Sequence, residues 1–152
     1  MNTSRTKNNR GFTLLETISV LVILGVLTAV ALAAMSSSDT VQPVVEIQIL
    51  KGHLRFAQAK AMSDVVAWGL EIQSGSYTLL RDWTDAAINL PGEDSNTHDL
   101  AGSLSLGGDL GIYTFDSRGI PSRNGSELTA NASLSLDGAP SITITRETGF
   151  IP

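Results

Sequence analysis

The chain has 152 residues, enough for one domain and an appendage. It contains no cysteine, which excludes disulfide cross-links and thiolate chemistry and leaves packing to hold the fold. Residues 1–11 carry Arg5, Lys7 and Arg10 and no acid, whereas residues 12–152 hold 7 basic against 15 acidic residues, a balance of −8; such an acidic body argues against phosphate-backbone binding, which takes clustered Lys and Arg.

The first element after the basic residues is an apolar run. Ile18 to Met35 is 18 residues without a charge, Pro, Asn or Gln, and counting back to Phe12 gives 24 residues interrupted only by Glu16. As a helix this spans the ~30 Å hydrocarbon core of a bilayer. Basic residues ahead of such a run predict a cytoplasmic N-terminus and an exported remainder. Three serines and an aspartate follow (36–39), then Pro43, so a kink or break is expected near 36–43. Beyond it Ile47, Leu50, Leu54, Ala57, Ala61 and Val65 recur at helical spacing between polar residues, which predicts an amphipathic helix within 36–69.

From residue 70 the pattern changes to short alternating segments divided by Gly, Asp, Asn and Pro, with strands expected near 70–73, 76–82, 102–106, 111–115, 132–136, 141–146 and 149–151. Residues 107–111 (GGDLG) and 136–141 (LDGAPS) read as hairpin turns, 117–126 as a loop and 83–101 as a long exposed loop. Trp68, Trp83, Phe115 and Phe150 read as core in a chain this poor in aromatics. The fold class is α+β: a long N-terminal hydrophobic and then amphipathic helix packed on a small antiparallel β-rich domain at 70–152.

Catalytic patterns are weak. His53 and His98 have no metal-type partner at i+3 or i+4 and read as solvated surface groups, giving no zinc site. Asp94, Asp99 and Asp109 lack the spacing of a calcium loop and read as turn formers, although a loop calcium site stays open. The serines show no G-x-S-x-G nucleophile motif. Gly107, Gly108 and Gly111 are not followed by the Lys-Ser/Thr pair that would hold a phosphate. The expectation is a structural protein, with no enzymatic activity, metal or cofactor.

Glu16 is the exception. A carboxylate in a membrane span costs roughly 2.5–3.5 kcal/mol at the centre and less near a helix N-terminus, where the dipole favours it. It is either tolerated at the interface or paired, and no Lys or Arg lies between residues 11 and 50. Cleavage between Gly11 and Phe12 would create a partner, a cationic α-amino group one turn before Glu16. In staggered parallel helices that ammonium could meet Glu16 of a neighbouring subunit.

At these residues the sequence RGFTLLE (10–16) resembles the processing site of type IV pilins and type II secretion pseudopilins. The resemblance implies a leader at 1–11, a transmembrane and assembly helix at 12–35, and cleavage after Gly11 by a prepilin peptidase. It further implies N-methylation of Phe12 and a Glu16 that guides assembly with other pilin or pseudopilin subunits. The segments at 54–64, 68–72, 112–122 and 141–152 resemble the GspH/FimT branch of minor pseudopilins and minor pilins. Ala33 stands where many major pilins have proline, and no C-terminal cysteine pair exists. The implied protein is a single-pass inner-membrane subunit, in contact with inner-membrane lipid, its domain periplasmic, assembled into a type II secretion pseudopilus. A minor type IV pilin for adhesion or DNA uptake is the alternative, and no nucleic-acid partner is expected. A second parse remains: a secretory signal peptide with an apolar region at Ile18–Val30 and an A-x-A-like site at 31–33, releasing a soluble periplasmic β-domain protein.

Overall fold

The computed structural model describes residues 13–35 and 42–152. Gly11, Phe12 and the leader lie outside the described residues, as does most of the expected kink at 36–43. The chain divides into two compact units at residues 38/39.

The described part of the first unit is one helix, α1 (Leu14–Met35). Thr13 opens it: its carbonyl accepts from the Glu16 and Thr17 N–H groups and its Oγ1 from Glu16 N at 3.3 Å, the bond of an N-cap. The hydroxyls farther along are satisfied within the helix, Ser19 donating to the Leu15 carbonyl at 2.8 Å and Thr28 to that of Leu24 at 2.7 Å. This back-bonding lets polar side chains sit in an apolar helix without an outside partner.

In the second unit α2 (Gln42–Ser63) packs on a sheet. Pro43 stands in its first turn, where the missing N–H would have no acceptor. Ile47, Leu50, Leu54, Ala57 and Ala61 form the expected stripe and are completely buried. Val65 does not join them: the helix has ended at Ser63, and Val65 is 95% exposed. Asp64 explains the stop. Its carboxylate accepts from Val65 N at 2.7 Å, from the Trp68 indole N–H at 3.0 Å and from Arg81, tying the chain's exit to the first two strands.

The strands are β1 (Trp68–Ile72), β2 (Ser76–Arg81), β3 (Thr84–Asp85), β4 (Thr97–Asp99), β5 (Leu106–Gly108), β6 (Gly111–Phe115), β7 (Pro121–Arg123), β8 (Ser126–Glu127), β9 (Ala132–Leu136) and β10 (Ile142–Ile144). They form two antiparallel sheets. The larger runs β3-β2-β1-β6-β7-β8, with β4 also on β2; the smaller runs β10-β9-β5. α2 covers β1 and β6, where Trp68, Leu70, Ile72, Tyr113 and Phe115 face the core. A side chain at Gly69 would run into the Tyr113 carbonyl oxygen, so the central pair closes only over glycine. The architecture is the α+β, pilin-like one read from the sequence.

Several local expectations are corrected. The GGDLG stretch is no hairpin: β5 pairs with β9 and β6 with β1 and β7, so these residues carry the chain from one sheet to the other, with Gly108 and Gly111 at φ of +87° and +140°. The strand expected at 102–106 lies instead at Leu106–Gly108, and 149–151 forms none. The loop at 117–126 contains the β7–β8 hairpin, turned by Asn124-Gly125. The segment 83–101 carries β3 and β4 and buries Ala86, Leu90, His98 and Leu100. Trp83 and Phe150 are not core, being 47% and 62% exposed.

The C-terminal tail lies along α2. Arg55 donates from Nε and Nη2 to the Ile151 carbonyl at 3.2 and 2.9 Å, and the Gln58 amide donates to the carbonyls of Gly119 and Thr148 at 2.9 and 3.0 Å. Ile151 is buried beneath this grip while Phe150 faces outward.

Candidate processing and assembly site

Of the three residues singled out by sequence, only Glu16 falls within the described residues. It occupies the first turn of α1, three residues after the Thr13 cap, at the positive end of the helix dipole. The T-x-x-E spacing is that of a capping box, a signal present in the sequence and overlooked there. Thr13 supplies one half of the box by accepting from Glu16 N. The helix end thus stabilises the carboxylate partly, without a counter-charge.

From Leu14 to Leu32 the helix is 19 residues long with a mean hydropathy of 2.3, and none of it is buried within the chain. At 1.5 Å per residue that is about 28 Å, close to the hydrocarbon thickness. Glu16 is its sole charge. Leu14 and Leu15 are each 79% exposed, and apolar side chains surround the axis, so every face needs lipid or another helix. Glu16, Thr17, Val20 and Leu21 share a shallow recess on one face, open to the outside.

The histidines are not solvated, contrary to the reading from spacing. His53 is 3% and His98 9% exposed. His53 Nε2 donates to the Pro91 carbonyl at 3.0 Å, and its Nδ1 lies 2.9 Å from the Tyr77 hydroxyl. His98 Nδ1 lies 2.6 Å from Glu93 Oε1 and Nε2 2.8 Å from Glu46 Oε2. Burial by itself lowers the His98 pKa, but the hydrogen bonds and charges of Glu46 and Glu93 outweigh it and raise the value above the ordinary 6.5. Burial also pushes the Tyr77 hydroxyl far up, so it stays protonated. These partners come from three separate stretches of chain, which is why spacing gave no signal.

Asp109 is committed to structure: it accepts from Ser133 N at 3.0 Å and from Arg123 Nη1 at 2.9 Å, and the Ser133 bond, with Arg123, holds its pKa below the ordinary value. Asp94 and Asp99 are exposed. Among the described residues no three His, Cys, Asp or Glu side chains gather as a metal-holding group. An open recess of about 370 Å³ is lined by Arg118, Ile120, Glu127, Leu128, Arg146 and Glu147; both arginines are ion-paired, to Asp116 and Glu147.

Residues 6–32 match the prokaryotic N-terminal methylation motif. That match supports a type IV pilin-like protein. It spans Lys7 and Arg10, the Gly11-Phe12 junction, Glu16 and the apolar stretch to Leu32 together. The motif implies processing by a prepilin peptidase and assembly with other pilin-type subunits, and the apolar helix is compatible with a single-pass inner-membrane anchor. No curated protein and no solved structure matches the chain.

Proposed function

We propose that this chain is a minor pseudopilin of the GspH/FimT type, a structural subunit of a type II secretion pseudopilus and not an enzyme. It is made as a single-pass inner-membrane precursor with its N-terminus in the cytoplasm and its β-rich domain in the periplasm. A prepilin peptidase cuts between Gly11 and Phe12 and methylates the new Phe12 amine. The apolar helix then leaves the lipid to pack against neighbouring subunits, and Glu16 pairs with a neighbour's Phe12 ammonium. One observation carries the reading: the methylation motif over 6–32 coincides with a fully exposed apolar helix whose sole charge is Glu16.

The pairing follows from electrostatics. The dipole favours Glu16 at the helix start by about 0.3–1 kcal/mol, less than the roughly 2.5–3.5 kcal/mol of burying a charge in the span's centre. A carboxylate drawn into a dry helix bundle therefore gains most from a cation at its own depth, and the processed N-terminus is that cation. Mass spectrometry of the mature protein tests the reading. A methylated N-terminus at Phe12 is the expected result; a start at Ala34 would establish the signal-peptide parse and a soluble β-domain protein.

A minor type IV pilin for adhesion or DNA uptake shares the same processing site. Against DNA binding stand the three basic residues after position 81, Arg118, Arg123 and Arg146, which are paired with Asp116, Asp109 and Glu147. A gel-shift assay at physiological salt is expected to show weak binding or none.

A further inference from the structure

The proton arrangement around His98 has a consequence independent of the membrane helix. Both its ring nitrogens face carboxylate oxygens, Nδ1 that of Glu93 and Nε2 that of Glu46, at 2.6 and 2.8 Å. A neutral imidazole has one N–H and one lone pair, so it can serve only one of these acceptors; the other contact would set a lone pair against a carboxylate. The geometry is that of an imidazolium donating twice. The groups facing it are Glu46 and His53 of α2, Tyr77 of β2, stacked at 5.0 Å between ring centroids, and Glu93 of the β3–β4 connection. Asp94 and Asp99, its exposed acidic neighbours in sequence, make no bond to it.

The two carboxylates differ in freedom. The Glu46 side chain is 10% exposed and also accepts from Ala101 N at 3.3 Å, so it is fixed from two sides. The Glu93 side chain is 31% exposed and His98 is its ion-pair partner. Glu93 can turn to water; Glu46 cannot do so without unseating α2. We propose that Glu46–His98–Glu93 is a proton-operated latch holding the 90–101 segment to α2, closed while the imidazolium carries both protons and opened on the Glu93 side when one leaves. Leu90 and Leu100, both buried, and the His53–Pro91 bond keep the ends of the segment attached, so opening loosens 92–96 without unfolding the domain.

The sign follows from linkage. The closed state holds the His98 pKa above its ordinary value, so the latch stays closed at low pH and opens as pH rises through the closed-state value. Over that window the opening equilibrium changes about tenfold for each unit separating the two values.

The chain has two histidines, so ¹⁵N-histidine labelling of the full-length protein in detergent micelles resolves both rings. At pH 6 both His98 nitrogens are expected to show protonated shifts. As His98 titrates, amide exchange of 92–96, corrected for its intrinsic pH dependence, should accelerate while β1 and β6 keep their protection. Glu93→Gln should lower the His98 midpoint and move the exchange step down by the same interval. A single neutral tautomer at His98 at pH 6, a midpoint unmoved by Glu93→Gln, or exchange at 92–96 that ignores the midpoint would each overturn the latch.

Discussion

The two helices have the same length, 22 residues each, and opposite solutions to the same problem. α2 confines its large apolar side chains mostly to one stripe and hides them: Ile47, Leu50 and Leu54 have no exposure at all. α1 is apolar on every side, and Leu21, Ile23, Leu24 and Leu27 are each more than half exposed. Burial inside the chain stabilises the first; only lipid or other subunits can stabilise the second. Hydrophobicity alone therefore does not say where a helix belongs, whereas its distribution around the axis does. On the proposed function the division separates two tasks, folding in the second unit and association in the first.

The sharpest way to break this division is to damage one unit and read the other. Gly69→Val places a branched side chain against the Tyr113 carbonyl in the middle of the larger sheet and should unfold the second unit, a loss on the order of 4–5 kcal/mol or more. Protease resistance should disappear, yet the chain should still reach the membrane and be cleaved, because α1 contributes nothing to that sheet. Glu16→Val tests the reverse. Removing one partner of a dry ion pair costs roughly 3–5 kcal/mol, so incorporation into the fibre, measured by crosslinking, should fall while thermal unfolding of the β-rich unit stays unchanged. Undiminished incorporation would reduce Glu16 to a tolerated charge.

A matched pair sharpens the comparison further. Leu50→Ala should destabilise the β-rich unit by about 2–5 kcal/mol, while Leu24→Ala, the same deletion in α1, should leave its denaturation midpoint within error. Acid should also destabilise the second unit. Hydrogen bonds and arginines hold the pKa values of Asp64, Asp109 and Asp116 below the ordinary 3.8, so their contribution is present above that value and lost as pH falls through the lowered ones. Asp64→Asn should flatten the acid limb of a melting-temperature profile. The smallest effect belongs to the cap: Thr13→Ala should cost α1 about 1 kcal/mol, read as faster exchange of its first-turn amides.

What could be read from the sequence tracks how local the cause is. The α2 stripe, the apolar length of α1 and the alternation of β9, whose residues are buried and exposed by turns, all repeat within a few residues and were visible. The Asn124-Gly125 turn was equally local, but its flanks are Arg and Ser, so nothing marked them as strands. The two-residue β3 and β8 are held by neighbours already in place and carry no pattern of their own. GGDLG misled because β5 takes its partner from β9, farther along the chain, a choice no turn motif encodes. His98 is the extreme case: its burial depends on Glu46, 52 residues away, and an isolated histidine in a polar stretch gives no hint of it. The methylation motif was legible for the opposite reason, since it lies in one contiguous stretch, residues 6–32.

The tail's attachment has its own logic. Arg55 and Gln58 hold the carbonyls of Gly119, Thr148 and Ile151, oxygens that every amino acid supplies. Replacing Phe150 therefore leaves the clasp intact, provided the backbone keeps its course. Phe150 itself is bonded through its main chain, its carbonyl accepting from Thr145 N at 3.0 Å, while its ring stays exposed. Such a position can change its chemistry from one related protein to the next without any renegotiation with the core beneath it.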